Sequence, residues 1–212
     1  MNRTVNVVAA ASSGKSAGKS AGKSAGKSAG KLVGVLVGMF AAVALAAEVG
    51  GVRLDDRVSV GAQELVLNGA GVRTRVVFKV YVASLYLPQK ATELAAVLAK
   101  SPRRIQLNLL RTLSADQLVE ALNEGLAENN TAAELAAVKS QVEALATIMK
   151  SLKEVKEKDV ITLDFADGAT RIGLNGEAKG NIGGDAFNQA LTKVWLGEKP
   201  VQADLKKSLL GV

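Results

Sequence analysis

The 212-residue chain has no cysteine and no histidine, only three prolines, and aromatic side chains at 3%. Without cysteine there are no disulfides, no thiol nucleophile and no site for a lipid-modified lipoprotein anchor, so stability must come from packing. Without histidine the commonest general base is gone, and with both missing the usual transition-metal ligands reduce to carboxylates. No metal or cofactor is therefore expected. Beyond residue 46 the aromatics are Phe78, Tyr81, Tyr86, Phe165, Phe187 and Trp195, too few for a base-stacking nucleic-acid platform. Also absent are the nucleophile-elbow pattern GxSxG, the metalloprotease pattern HExxH and the dinucleotide-binding glycine fingerprint.

The first acidic residue is Glu48. Before it, Ser13 to Lys31 reads SGKSAGKSAGKSAGKSAGK, with the tripeptide GKS four times. A phosphate-binding P-loop needs a glycine five positions before the glycine of GKS. Here the glycines fall at 14, 18, 22, 26 and 30, so the register never fits. Evenly spaced lysines in small residues read instead as a solvated, low-complexity stretch or a basic tail. The next run, Leu32 to Ala47, is 16 residues without charge, shorter than the ~20 that span a bilayer. It contains Ala44-Leu45-Ala46, the small-residue pattern a signal peptidase cuts. Basic segment, apolar segment and small-residue site together predict a signal peptide over 1–46 and a periplasmic or secreted domain over 47–212. An uncleaved anchor and an organellar transit peptide are the competing readings. Residues 1–46 hold six basic and no acidic side chains, which leaves 21 basic against 20 acidic in the rest. The domain thus has no bulk charge that would draw it to nucleic acid.

Within 47–212 the patterns predict an α+β domain with antiparallel hairpins. Glu64 to Val76 reads as a strand bent around Asn68-Gly69-Ala70-Gly71, and Val77 to Leu87 as a second strand ended by Pro88. A short helix follows over Thr92 to Lys100, then an alternating strand at Ile105, Leu107 and Leu109. Capping boxes at Ser114–Gln117 and Thr131–Glu134 open two helices, the second carrying Leu135, Val138, Val142, Leu145, Met149 and Leu152 as one stripe. Asp167-Gly168 and Asn175-Gly176 signal hairpin turns. Asp185 is read as the cap of a helix bearing Phe187, Leu191, Val194 and Trp195, closed by Gly197; Leu205 to Leu210 forms a last short helix.

Arg73, just past the glycines of GAGVRTR, stands out. It is either a solvated arginine on an exposed edge or a guanidinium at a cleft mouth, where its planar fork suits a carboxylate or phenolate. At these residues the chain resembles a family. LNGAGVRTRVVFKVYVASLYLP, residues 67–88, is similar to the N-terminal hallmark of chalcone isomerases, and VWLGEKPVQADLKKSLLG, residues 194–211, to their C-terminal helix and turn. The resemblance covers residues 50–212 and implies an open-faced β-sandwich with helices over a large antiparallel sheet. It makes Arg73 the counterpart of the catalytic arginine. Of the tyrosine, lysine and asparagine that complete the flavonoid site, tyrosine and lysine are absent from the segment where they are expected. The corresponding segment, TLSADQLVEALNEGL, offers Gln117, Glu120 and Glu124, and Val194 and Tyr81 stand where cleft threonines are expected.

That pattern is similar to the non-catalytic fatty-acid-binding branch, in which an arginine and a tyrosine hold the carboxylate. The resemblance then implies Arg73 with Tyr86, and Tyr81 as a second candidate, as ligand-binding residues. The expectation is an exported, non-catalytic protein that binds a fatty acid or similar small apolar carboxylate, with no nucleic acid and no stable membrane span after cleavage. An isomerase using Arg73 and a purely structural or partner-binding domain are the alternatives.

Overall fold

The structure is a computed structural model and describes residues 47–212. The signal peptide expected over 1–46 lies outside the described residues. The chain begins with Ala47–Val49 (β1) and Val52–Leu54 (β2), a hairpin, then Arg57–Val60 (β3), Gln63–Arg75 (β4) and Phe78–Leu87 (β5). Helix Leu94–Leu98 (α1) leads to Arg103–Leu109 (β6), Leu113–Ser114 (β7) and helices Ala115–Asn129 (α2), Ala132–Ala137 (α3) and Lys139–Ser151 (α4). Glu154–Val155 (β8), Val160–Ala166 (β9), Ala169–Leu174 (β10) and Glu177–Gly183 (β11) follow, then helices Asp185–Leu196 (α5) and Ala203–Leu210 (α6).

Seven strands form one antiparallel sheet in the order β11-β10-β9-β6-β5-β4-β3. Alternation along each strand sorts side chains between two faces. Ala83, Leu85, Ile105, Leu107, Leu163, Phe165 and Ile172 point to the helix-covered face, where they meet Leu126, Leu145, Phe187, Leu191 and Leu209 in the main core. A smaller cluster of Val60, Leu65, Tyr86 and Ala166 lies apart from it, on the other face. There the β1–β2 hairpin brings Gly50 against Val72 and Val82. Residues 47–212 all belong to one compact unit that contains both clusters. No helix among the described residues is long and apolar enough to cross a membrane.

The bend expected at Asn68-Gly69-Ala70-Gly71 is a bulge within the continuous strand β4, with the pairing to β5 shifting between Leu67 and Gly69. Asn68 is buried there. Its Nδ2 donates to Leu209 O at 2.7 Å and Ala91 O at 2.9 Å, and its Oδ1 accepts from Ala91 N at 2.8 Å. A Cβ on Gly69 would lie 2.1 Å from Ser208 O, and one on Gly71 would lie 2.8 Å from Ser208 Cβ. The two glycines let α6 lie directly on the strand backbone.

The two hairpin signals form as expected, with positive φ at Asp167 and Gly168 and again at Asn175 and Gly176, the two-residue geometry that suits strand twist. Three expectations need correction. Val76 and Val77, read as strand, form the turn between β4 and β5, because cross-strand pairing along the whole hairpin outweighs local β-propensity. The helix expected from Thr131 onward breaks at Val138, whose φ of −114° and ψ of 15° leave the helical region. Val138 is buried, so the predicted stripe still faces the core across the break. The cap of α5 is Gly184, at φ 127°, and Asp185 is the first residue inside the helix, where its charge suits the helix N-terminus.

Candidate functional site

Between the helix face of the sheet and α2, α4 and α5 lies a cavity of about 570 Å³, within the span of ~300–1,000 Å³ common for small-molecule sites. Its inner wall is aliphatic: Leu107, Ile161 and Leu163 from the sheet, Leu118, Ala121 and Leu122 from α2, Leu145 and Met149 from α4, and Val194 from α5. Arg73, Arg75, Arg111, Lys199, Gln117, Glu124 and Glu128 supply its charged and amide groups. The Glu128 carboxylate pairs with Lys199 at 3.3 Å.

Arg73 and Tyr81 are directly paired across β4 and β5, and both line the cavity. Arg73 is half-buried. Its Nη1 donates to Thr74 O at 2.6 Å and to Gln202 Oε1 at 3.4 Å. Among the described residues no carboxylate forms an ion pair with it. Gln202 also fixes the backbone on either side of the arginine. Its Oε1 accepts from Thr74 N at 2.8 Å, and its Nε2 donates to Val72 O at 3.3 Å. This matters because the pairing of β4 with β5 shifts again between Arg73 and Thr74, which aims the arginine.

The Tyr81 hydroxyl accepts from Trp195 Nε1 at 3.1 Å. Burial raises its pKa above the ordinary phenol value, opposed by the Trp195 hydrogen bond and the Arg73 charge. The phenol therefore stays protonated, and with Trp195 occupying an acceptor position its own hydrogen is free to be donated. An amphipathic anion could put its negative end between Arg73 and Tyr81 and its chain along the aliphatic wall.

Tyr86 does not join this site. It is five residues from Tyr81 on one strand, an odd spacing, so it points to the other face. There it is fully buried beside Val60 and Leu65, and burial raises its pKa, opposed by the neighbouring Ser84 hydroxyl. Gln117 and Glu124 line the cavity, and so does Val194, whereas Glu120 does not. Sequence reasoning missed Trp195 and Gln202 as residues that orient Tyr81 and Arg73, since each acts across more than 100 positions of chain. It also missed Arg103, buried on β6 and opposite in role to Arg73. Arg103 donates to Thr192 Oγ1, Asn188 O and Lys100 O, stacks 4.7 Å from the Phe165 ring centre, and is lowered by burial to about 10. It fastens α5 to the sheet and does not reach the cavity.

No curated protein matches the chain. Among solved structures, a fatty-acid binding protein of Arabidopsis thaliana aligns with a TM-score of 0.58 at 12% identity, covering 76% of this chain and 92% of that one. At that identity the likeness establishes the fold, an α+β chalcone isomerase-like sandwich. The model of the chalcone isomerase-like family matches residues 46–211. A match over that much of its length makes this chain a member of the chalcone isomerase-like family.

Proposed function

We propose that residues 47–212 bind a fatty acid or similar small apolar carboxylate without transforming it, and that 1–46 direct its export to a periplasmic or secreted location. The single observation that supports the binding reading most is the cross-strand pair of Arg73 and Tyr81 at an otherwise aliphatic cavity. Each methylene withdrawn from water gives about 0.8 kcal/mol gross. A charge-assisted hydrogen bond adds roughly 1.5–3 kcal/mol. The chain would supply most of the affinity, and Arg73 would decide which end enters. The plant structural neighbour is a fatty-acid binding protein, and that ligand class suits this cavity's chemistry. An isomerase reading is less well supported. Cyclising a chalcone needs donors preorganised for developing negative charge, and the α2 wall presents the carboxylates Glu124 and Glu128 instead.

Mass spectrometry of protein isolated from its native host tests both halves. The expected intact mass begins at Ala47, and the small molecules released on denaturation include a long-chain carboxylic acid. A full-length intact mass would contradict export, and release of neutral lipids alone would contradict the carboxylate.

A further inference from the structure

The β4–β5 hairpin ends in two consecutive valines. Val76 is 89% exposed, Val77 77%, and the next residue, Phe78, 58%; with Val212 they are the exposed large hydrophobic side chains among the described residues. Val76 holds φ at 58°, a region that β-branched residues rarely enter and that Asn or Gly would occupy with less strain. The tip is thus exposed and chemically unsuited to a turn, and its valine side chains stand almost wholly in solvent. Around it stand Arg75, Lys79 and Arg111, all exposed. None of the three forms an ion pair among the described residues. Arg111 lies 5.0 Å from the centre of the Phe78 ring, so cation and apolar surface are joined at one spot. Arg75, Val76, Phe78 and Arg111 also line the cavity, which puts this tip at its mouth.

We infer that the Val76-Val77-Phe78 tip docks on an anionic lipid bilayer. A narrow convex tip of apolar side chains enters the boundary between headgroups and acyl chains, and unpaired basic residues beside it meet anionic headgroups. A protein partner would more often meet a broader surface with a polar rim. Docked in this way, the cavity mouth faces the membrane, and an apolar carboxylate moves between bilayer and cavity without crossing water. That consequence rests on the carboxylate reading above; the docking itself does not.

The test is sedimentation of residues 47–212, which belong to one compact unit, with phosphatidylcholine vesicles and with mixed phosphatidylcholine–phosphatidylglycerol vesicles. Binding to the mixed vesicles is expected, with much weaker binding to phosphatidylcholine alone. Val77→Asp and, separately, Lys79→Glu should each lower partitioning to mixed vesicles by at least about tenfold. Neither should change the melting temperature appreciably or the affinity for fatty acid in vesicle-free buffer, because neither residue lines the cavity. No binding of the parent chain to mixed vesicles, or binding undiminished in both variants, overturns the docking. So does a tip-mediated dimer in vesicle-free buffer that Val77→Asp dissolves. Vesicle binding by a chain that takes up no fatty acid would keep the docking and reject the carboxylate reading.

Discussion

Tyr81 and Tyr86 show how far one side chain's role depends on which face of a strand it occupies. Both belong to VYVASLYL, and the residue types alone make them equal candidates to assist Arg73. The parity of their positions separates them. Tyr81 shares its face with Ala83 and Leu85, which line the main core, and is the cross-strand partner of Arg73. Tyr86 faces away and does not line the cavity that Arg73 and Tyr81 share. The period of two was readable in the sequence, but only with the knowledge of which face the helices cover, and that is a tertiary fact. Tyr86→Phe should leave fatty-acid affinity unchanged, because its side chain is buried on the face away from the cavity. Tyr81→Phe should weaken binding of the acid by roughly 1.5–3 kcal/mol, the worth of a hydrogen bond to a charged acceptor. Calorimetric titration of the two variants measures both effects. Loss of affinity in Tyr86→Phe would mean that the two faces have been assigned the wrong way round.

Among the elements, those announced by local chemistry were legible. Two capping boxes, two positive-φ hairpins and the helix closed by Gly197 all depend on residues within a few positions of one another. The Val76-Val77 turn was not legible, because the residues that form it favour strand and only the pairing of β4 with β5 requires a reversal there. The break at Val138 was hidden for a similar reason, since the apolar stripe continues through it. Helix α3 is short, and its hold on the fold is partly electrostatic. Glu134 accepts from Lys193 Nζ at 2.7 Å and closes the Thr131 capping box. Lys193, and then the Thr131 hydrogen bonds, bring its carboxyl from the ordinary 4.5 to about 2. A carboxyl depressed in the folded state contributes stability that is complete above its unfolded value and is lost as pH falls through the folded one. Glu134→Gln should therefore melt below the parent chain at neutral pH, and the difference should shrink below about pH 4.5 and vanish near pH 2. A difference independent of pH would show that the carboxylate's charge contributes nothing to α3.

For the whole molecule, hairpin signals, helix stripes and the residues shared with the family were enough to predict an α+β chalcone isomerase-like sandwich. The cavity was not predictable in detail. Its walls come from residue 73 to residue 201, and whether a gap stays open between them depends on side chains that no local pattern connects. Its oriented pair, Arg73 with Tyr81, is held by Gln202 and Trp195 from the far end of the chain. The same long-range assembly places the only tryptophan of the sequence in the cavity wall, so a ligand that fills the cavity should change its emission. Arg73 is proposed to read a carboxylate at the end of an aliphatic cavity. Calorimetric titration of a fatty acid and of the alcohol of equal chain length, into the parent chain and into Arg73→Ala, tests it most directly. The acid should lose roughly 2–4 kcal/mol in Arg73→Ala, the scale for truncating one half of a desolvated charge pair, while the alcohol should bind both chains almost equally. Equal binding of the acid by the two chains would contradict the claim and leave Arg73 with only its hydrogen bonds to Thr74 and Gln202.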